Sequence, residues 1–433
     1  MMQPTPGRIE RLFVMLVFFL GTGALIAMFR LPDPDGDPWA ASAQDPVQQL
    51  LWLGVYAVTL MLLVPHRRQV AQLMAKNKWI PALMIVVLLS AAWSPTPTIT
   101  LRRSIAIDLG GIFGYYLAIR FSSREVVRLL AVSLAAALVL SVLFIVGLPS
   151  YGVYNDQFRG ATWRGVFLHK QPLGRAAALG VLAFLLQTNS THRRYYMVLL
   201  PIAFVLVFGS ASSTAVVTVV VVLLCAALTS KLRRRGSLGV PAAVAIGASV
   251  LVISRVFGIN VVGAAFGVLG KDATLTGRTG VWNYVVPEIA QHPLLGRGVS
   301  GFWRGWSGEG SARVWQYVTW HPVHAHNGFL DLALDVGLVG LVIFLMGAAI
   351  VLRDSWARYR ESNHFADAWP LLFMAFLFVQ SMTESVLVRS NSIFWMLYVF
   401  TAASVVARRG ESAYPVSAVG PSPPAVSSLR IDL

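Results

Sequence analysis

Residues 324–352 read HAHNGFLDLALDVGLVGLVIFLMGAAIVL. The segment opens with His324, His326 and Asn327, then runs into an almost wholly apolar stretch over 328–352. A bilayer-crossing helix needs about 20 mostly apolar residues. This stretch is long enough, so it places two imidazoles and an amide where a polar loop meets a membrane helix. Asp331 and Asp335, four residues apart, fall on one face of that helix.

The rest of the chain repeats the apolar pattern. Its 433 residues are 56% hydrophobic and 12% charged, with a mean hydropathy of +0.66; a soluble domain carries about 25% charged residues. Apolar runs near 11–29, 47–65, 79–93, 104–119, 126–147, 173–187, 195–209, 213–229, 238–257, 328–352, 368–386 and 391–407 predict about twelve transmembrane helices in an all-α polytopic membrane protein. The runs are too long for barrel strands and do not alternate. Arg8 and Arg11 precede the first run, and Arg30-Leu31-Pro32 follows it in place of a small-x-small cleavage site. It therefore reads as a signal-anchor. Cys225 is the only cysteine, which excludes an intrachain disulfide and a cysteine-based metal site.

The net charge of +16 would suggest nucleic acid in a soluble protein. With the N-terminus inside, however, most of the 35 Lys and Arg residues fall in short inner segments such as 66–78, 120–128 and Lys231-Leu232-Arg233-Arg234-Arg235. That is the positive-inside pattern, so nucleic acid is not an expected partner and both termini are expected in the cytoplasm. Residues 1–410 read as one membrane domain without internal repeats. The Pro/Ser/Ala-rich tail 411–433 reads as disordered and cytoplasmic.

Three outer segments stand out: the acidic loop 30–46, a medium loop 148–172, and a large loop 258–327. Asp33-Pro34-Asp35-Gly36-Asp37 has its glycine fourth, with Gln44 at the twelfth position, so it does not fit a calcium-binding EF-hand. The large loop holds Trp282, Trp303, Trp306, Trp315 and Trp320 and is expected to be folded. Within it, 278–290 reads as an amphipathic helix at the outer interface, presenting Arg278, Trp282, Val285, Val286 and Ile289.

The polar groups collect on the outer side. Arg159, Arg164, His169 and Lys170 lie in the medium loop. Lys271, Asp272, Arg278, His321, His324 and His326 lie in the large one. Glu384 sits near the outer end of its span and Asp108 near the outer half of another. Ionisable residues in membrane helices are costly and tend to mark function; for Glu384, Asp335 and Asp108 the alternative is an ion pair with Arg389 or Arg103. Outer arginines run against the topological charge bias, and guanidinium grips phosphate oxygens in a two-pronged fashion. Trp163-Arg164-Gly165-Val166-Phe167-Leu168-His169-Lys170 and Arg278 therefore suit a phosphate-bearing ligand. His326 has three readings: a zinc ligand with His324, a histidine bonded to backbone, or a general base acting on a hydroxyl. Asn327 can hold either the histidine or a sugar. Gly337 and Gly340 are expected to let another helix approach closely.

His326-Asn327, nine residues, then Gly337-x-x-Gly340 resembles the H-[N/S/Q]-x9-G-x-x-G pattern of the O-antigen ligase and Wzy-type polymerase superfamily. The wider context is similar to its exopolysaccharide polymerase branch. The matching segments are 163–170, Ser210-Ala211-Ser212-Ser213-Thr214, 275–282, His292-Pro293-Leu294-Leu295-Gly296-Arg297-Gly298 and Thr383-Glu384-Ser385. Gln171 departs from the asparagine common in that branch after the His-Lys pair. The resemblance implies a GT-C-like glycosyltransferase of the bacterial inner membrane with its active site facing the periplasm. It would polymerise undecaprenyl-pyrophosphate-linked repeat units into exopolysaccharide or O-antigen, with no cofactor and no metal. Arg164, Arg278 and Lys170 would hold the pyrophosphate. His326 and Glu384 would be catalytic. His324, Asn327, His169, Trp282 and Trp303 would contact acceptor or sugar, with an interfacial aromatic belt as the alternative for the tryptophans. Partners would be the lipid-linked glycan, membrane lipid, a chain-length regulator and a flippase. A ligase that moves the glycan to a lipid A core is the second reading. A secondary transporter or flippase is the third, disfavoured because transporter sites sit near the midplane, often with repeat symmetry.

Overall fold

The structure, a computed structural model, describes residues 6–25, 46–156, 160–188, 190–233, 278–318, 320–362 and 364–407. The helices are α1 (Arg8–Gly21), α2 (Pro46–Leu63), α3 (Arg67–Lys76), α4 (Trp79–Leu89), α5 (Pro97–Arg120), α6 (Ser123–Gly147) and the one-turn α7 (Pro149–Gly152). After a hairpin come α8 (Lys170–Leu186), α9 (Arg193–Gly209), α10 (Ser213–Arg233), α11 (Arg278–Gln291), α12 (Glu309–Tyr317), α13 (Gly328–Glu361), α14 (Trp369–Thr383) and α15 (Ile393–Ala407). The hairpin pairs β1 (Val153–Asp156) with β2 (Gly160–Trp163) antiparallel, Val153 opposite Trp163. It was not foreseen in the medium loop.

The fold is thus all-α but for one hairpin among the described residues, as expected of a polytopic membrane protein. Eleven of the twelve predicted apolar runs coincide with helices; the twelfth, 238–257, lies outside the described residues, as do the acidic loop 30–45 and the tail. Among the described residues, five helical segments are long and apolar enough to cross a membrane: Pro46–Lys76, Ser123–Gly147, Ser213–Lys231, Gly328–Glu361 and Phe365–Thr383. The expected span at 79–93 is shorter, because α4 gives way at Leu89 to a 3-10 turn over Ser90–Ala92.

Burial explains the arrangement. α15 is apolar all round, and Ile393 through Val406 are all buried, as befits a central helix. It rests on α5, where Trp395 Nε1 donates to the Ile107 carbonyl at 2.7 Å. α2 instead leaves Leu50, Leu53 and Met61 exposed. Apolar surface both inside and outside is what lipid-facing helices present.

A second, smaller core forms between the large loop and the start of α13. Val281, Val285, Phe302, Trp303, Val314, Trp315, Ala325 and Leu334 pack together. The buried face of α11 is Val281, Val285 and Glu288, while Val286 is exposed. The stripe expected through Val286 is therefore rotated: α11 packs inward on this core.

α13 is broken at Val336 (φ −131°, ψ 17°) and Gly337 (φ 68°, ψ −171°). The backbone groups freed by the break are taken up by the turn at 293–297. Leu338 N donates to the Pro293 carbonyl at 2.7 Å, Val339 N to Leu294 at 3.2 Å, and Arg297 N to the Leu334 carbonyl at 2.8 Å. The conformation of Gly337 is one that only glycine adopts readily, and a Cβ there would strike the Leu294 carbonyl. This corrects the expectation of helix–helix contact for Gly337, which meets a turn; a Cβ on Gly340 would crowd Val336 of its own helix and lie 3.7 Å from Leu83 of α4.

Candidate active site

The site forms where the start of α13 meets the end of α14. Asn327 caps α13, its Oδ1 accepting from Phe329 N at 3.0 Å and Leu330 N at 3.2 Å. Asn327 Nδ2 donates to the Met382 carbonyl at 3.4 Å. The amide thus satisfies orphan helix N–H groups and ties the two helix ends together, which locates the expected sugar-binding amide in a structural bond. Gly328 packs beside Ser381 and Leu387, and Glu384 follows immediately after α14.

Glu384 joins the group. Arg278 Nη2 donates to its Oε1 at 2.7 Å, and His326 Nδ1 lies 3.7 Å from its Oε2. The second distance is too long for a hydrogen bond. Glu384 is 5% exposed. Burial alone would raise its pKa, but His326, Arg278 and Arg175 hold the carboxyl well below the usual glutamate range.

His324 is neutral: burial drives its pKa well below the ordinary histidine value, and neighbouring His326 adds to the effect. His326 N donates to His324 Nδ1 at 3.3 Å, which requires a lone pair on that nitrogen. The rings stand 4.0 Å apart, and Trp320 meets His326 edge-on at 5.0 Å. His326 has a φ of 49°, uncommon without glycine and the kind of local strain found at functional positions.

The strain is held by Ala325 on its N-terminal side. Ala325 N donates to both Asp331 oxygens at 3.1 Å, and Trp282 Nε1 donates to the Ala325 carbonyl at 2.8 Å. Asp331 also accepts from Trp303 Nε1 at 2.9 Å and from Ser385. Arg389 Nη2 lies 2.8 Å from Asp331, and Arg389 Nη1 lies 3.5 Å from Asp335. The alternative for Asp335, an ion pair with Arg389, is therefore what forms. Trp303 is 2% exposed, so its ring is core rather than a sugar platform in this conformation. One oxygen of Asp108 is buried without a hydrogen-bond partner among the described residues.

The second basic group sits nearby on α8 and the hairpin. Lys170 begins α8 and is buried; His169 precedes it, its ring 5.0 Å from Tyr154. Arg164 Nε donates to the Tyr151 carbonyl at 2.6 Å, so this bond turns it to its own loop rather than to Glu384. The small polar run links α8 to α14. A Cβ on Gly174 would lie 2.7 Å from Ser210 Oγ, and Thr214 Oγ1 is 2.7 Å from Thr383 Oγ1, one residue before Glu384. Arg175, one residue beyond Gly174, was missed in the sequence. Its charge acts on Glu384 and His324. An arginine inside an apolar run was the available signal. Arg159, Lys271 and Asp272 lie outside the described residues. Among the described residues, no group of three or more His, Cys, Asp or Glu side chains is placed to hold a metal ion.

Residues 196–345 match the O-antigen ligase family (Wzy_C). The match takes in Arg278, His326 and the glycine pair; Arg164, Lys170 and Glu384 lie outside it. The chain is also 26% identical over 383 residues to the exopolysaccharide production protein ExoQ of Rhizobium meliloti (strain 1021), covering 84% of this chain and 85% of that protein. It is 31% identical over 79 residues to the putative polysaccharide ligase RC0486 of Rickettsia conorii, 18% of this chain and 19% of that one. The resemblance read from the motifs is borne out: the chain is similar to the O-antigen ligase family, on its ExoQ-like side.

Proposed function

We propose that this protein is a GT-C-like glycosyltransferase that polymerises undecaprenyl-pyrophosphate-linked oligosaccharide units on the outer face of the inner membrane, with both termini cytoplasmic. The observation that carries the reading is the buried His326–Glu384–Arg278 group at a helix-end boundary. The likeness to ExoQ over most of both chains supports the polymer-forming branch.

The acceptor sugar hydroxyl gives its proton to His326 as its oxygen bonds to the anomeric carbon of the donor glycan. The bond from that carbon to the pyrophosphate oxygen breaks, and the leaving group takes the electron pair. Glu384, held ionised, favours the imidazolium that forms. Arginine stabilises charge developing on the leaving group in the role that a divalent cation fills elsewhere. Arg278 has five N–H donors and gives one bond to Glu384, so it can serve both. Arg175 and Lys170, on α8, are the next cations for the pyrophosphate; Arg164 gives its Nε to the Tyr151 carbonyl and keeps its other N–H groups for a ligand.

The second reading, a ligase that transfers the glycan to another acceptor such as a lipid A core, is favoured by the family match and the Rickettsia relative. Reconstitution with a lipid-linked repeat unit alone separates the two. A ladder of longer lipid-linked chains is expected; products only after a second acceptor is added would make the protein a ligase, and no product under either condition would sink both.

A further inference from the structure

At the end of the bundle away from Glu384, a cavity of about 820 Å³ opens between α1, α6, the end of α8 and the segment leading into α14. Lys170 begins α8 and the cavity lies at its other end, by Leu186 and Gln187. A rise of 1.5 Å per residue puts roughly 25 Å between the two. The cavity is therefore separate from the active site and uses none of its residues.

Its chemistry is divided. Arg8, Arg11, Arg124 and Arg128 line it together with apolar side chains such as Leu12 and Leu129. Arg11 Nε donates to Glu125 at 2.9 Å. Arg124 makes two bonds to Asp367, at 3.1 and 2.8 Å. Arg8 and Arg128 have neither a hydrogen bond nor a salt bridge among the described residues. Four guanidinium groups thus face two carboxylates, leaving two positive charges in excess beside apolar walls.

We propose that this cavity binds an anionic phospholipid of the surrounding leaflet, its phosphate on Arg8 and Arg128 and an acyl chain along Leu12 and Leu129. Guanidinium matches phosphate oxygens in a two-pronged way. Basic pockets between membrane helices on the cytoplasmic side suit anionic headgroups, and the chain's charge bias puts this end in the cytoplasm. A free phosphate would use the arginines but leave the apolar half wetted, whereas a lipid covers both and gains from burying its chain. The occupant would brace α8, which carries Arg175, and α14, which ends at Glu384.

The test uses the full-length protein in detergent and reads binding, not turnover, so its failure is distinguishable from failure of the glycosyltransferase reading. Native mass spectrometry counts bound phosphatidylglycerol against phosphatidylcholine. The expected result is selective retention of phosphatidylglycerol, with affinity falling about tenfold or more in Arg8→Ala/Arg128→Ala. Arg67→Ala/Arg68→Ala removes the same charge from exposed positions on α3 and is expected to change nothing. Equal loss in that control, unchanged affinity in the cavity variant, or displacement of the lipid by millimolar inorganic phosphate would each overturn the proposal.

Discussion

Arg278 Nη2 and Glu384 Oε1 lie 2.7 Å apart, joining α11 to the residue that follows α14. The pair locks the loop core onto the membrane bundle at the point where His326 stands. Glu384 therefore serves two neighbours: it neutralises an arginine and sets the field around an imidazole.

If His326 takes the acceptor proton, His326→Ala abolishes turnover while the protein still inserts and binds donor lipid. Glu384→Gln keeps the shape but removes the charge that favours imidazolium. Its kcat is expected to fall about 10²- to 10⁴-fold, the range for losing acid–base assistance, with a smaller change in KM. Single-turnover assays on both variants check this; a His326→Ala enzyme with normal turnover defeats the assignment.

The pH dependence of stability follows from the depressed pKa of Glu384. A group whose folded pKa lies below its unfolded value contributes stability above the unfolded value and loses it as pH falls toward the folded one. The ordinary glutamate value is 4.5. The gap in Tm between the parent protein and Glu384→Gln is expected to be flat from about pH 5 to 8 and to narrow as pH falls below 4.5. A gap that widens on acidification contradicts the ion pair.

Gly337 gives a stability prediction independent of chemistry. Gly337→Ala meets both a backbone region closed to other residues and the Leu294 carbonyl. The combined cost is about 2–6 kcal/mol. Faster hydrogen exchange is expected at the Arg297 and Leu338 amides, which bridge the break, measured by mass spectrometry on the purified protein.

Much of this was legible from the sequence, for identifiable reasons. Hydrophobic runs gave helix positions because apolar length is a one-dimensional property: α15 fell within a few residues of its expected bounds, and α13 began where expected but runs on to Glu361 through polar residues the apolar pattern did not reach. His326, Arg278 and Glu384 were each singled out by chemistry that is costly where it stands. What could not be read was pairing. Glu384 lies 106 positions from Arg278, and nothing local distinguishes that partner from Arg389, which went to Asp331 and Asp335. Trp303 looked like a ligand platform because aromatic residues serve cores and sugars alike; only burial separates the two. Gly337 looked like a helix contact because glycine spacing does not reveal a left-handed φ.

Activity is expected to survive exhaustive chelation. The cations around Glu384 are Arg278 and Arg175, and no cluster of three metal-ligating side chains occurs among the described residues. Turnover of the reconstituted protein is measured before and after chelator treatment; a loss restored by added divalent metal would replace the arginine account with a metal-assisted one.

Asp331 tests how the histidine is held. Its carboxylate takes Ala325 N, Trp303 Nε1, Ser385 and Arg389. Asp331→Asn keeps an oxygen for Ala325 but removes the charge that answers Arg389, whose remaining carboxylate, Asp335, is 3.5 Å away. Losing one member of a buried pair costs about 3–5 kcal/mol; the Arg389 side chain is 25% exposed, so the lower end applies. The positioning role has a signature that simple destabilisation lacks. At a temperature where the variant is fully folded, kcat is expected to fall while donor affinity is kept, because a single neutral amide oxygen holds the Ala325 N–H, and with it the backbone that feeds His326, less firmly than the two carboxylate oxygens do. A variant with lowered Tm but full kcat when folded would reduce Asp331 to a purely structural residue.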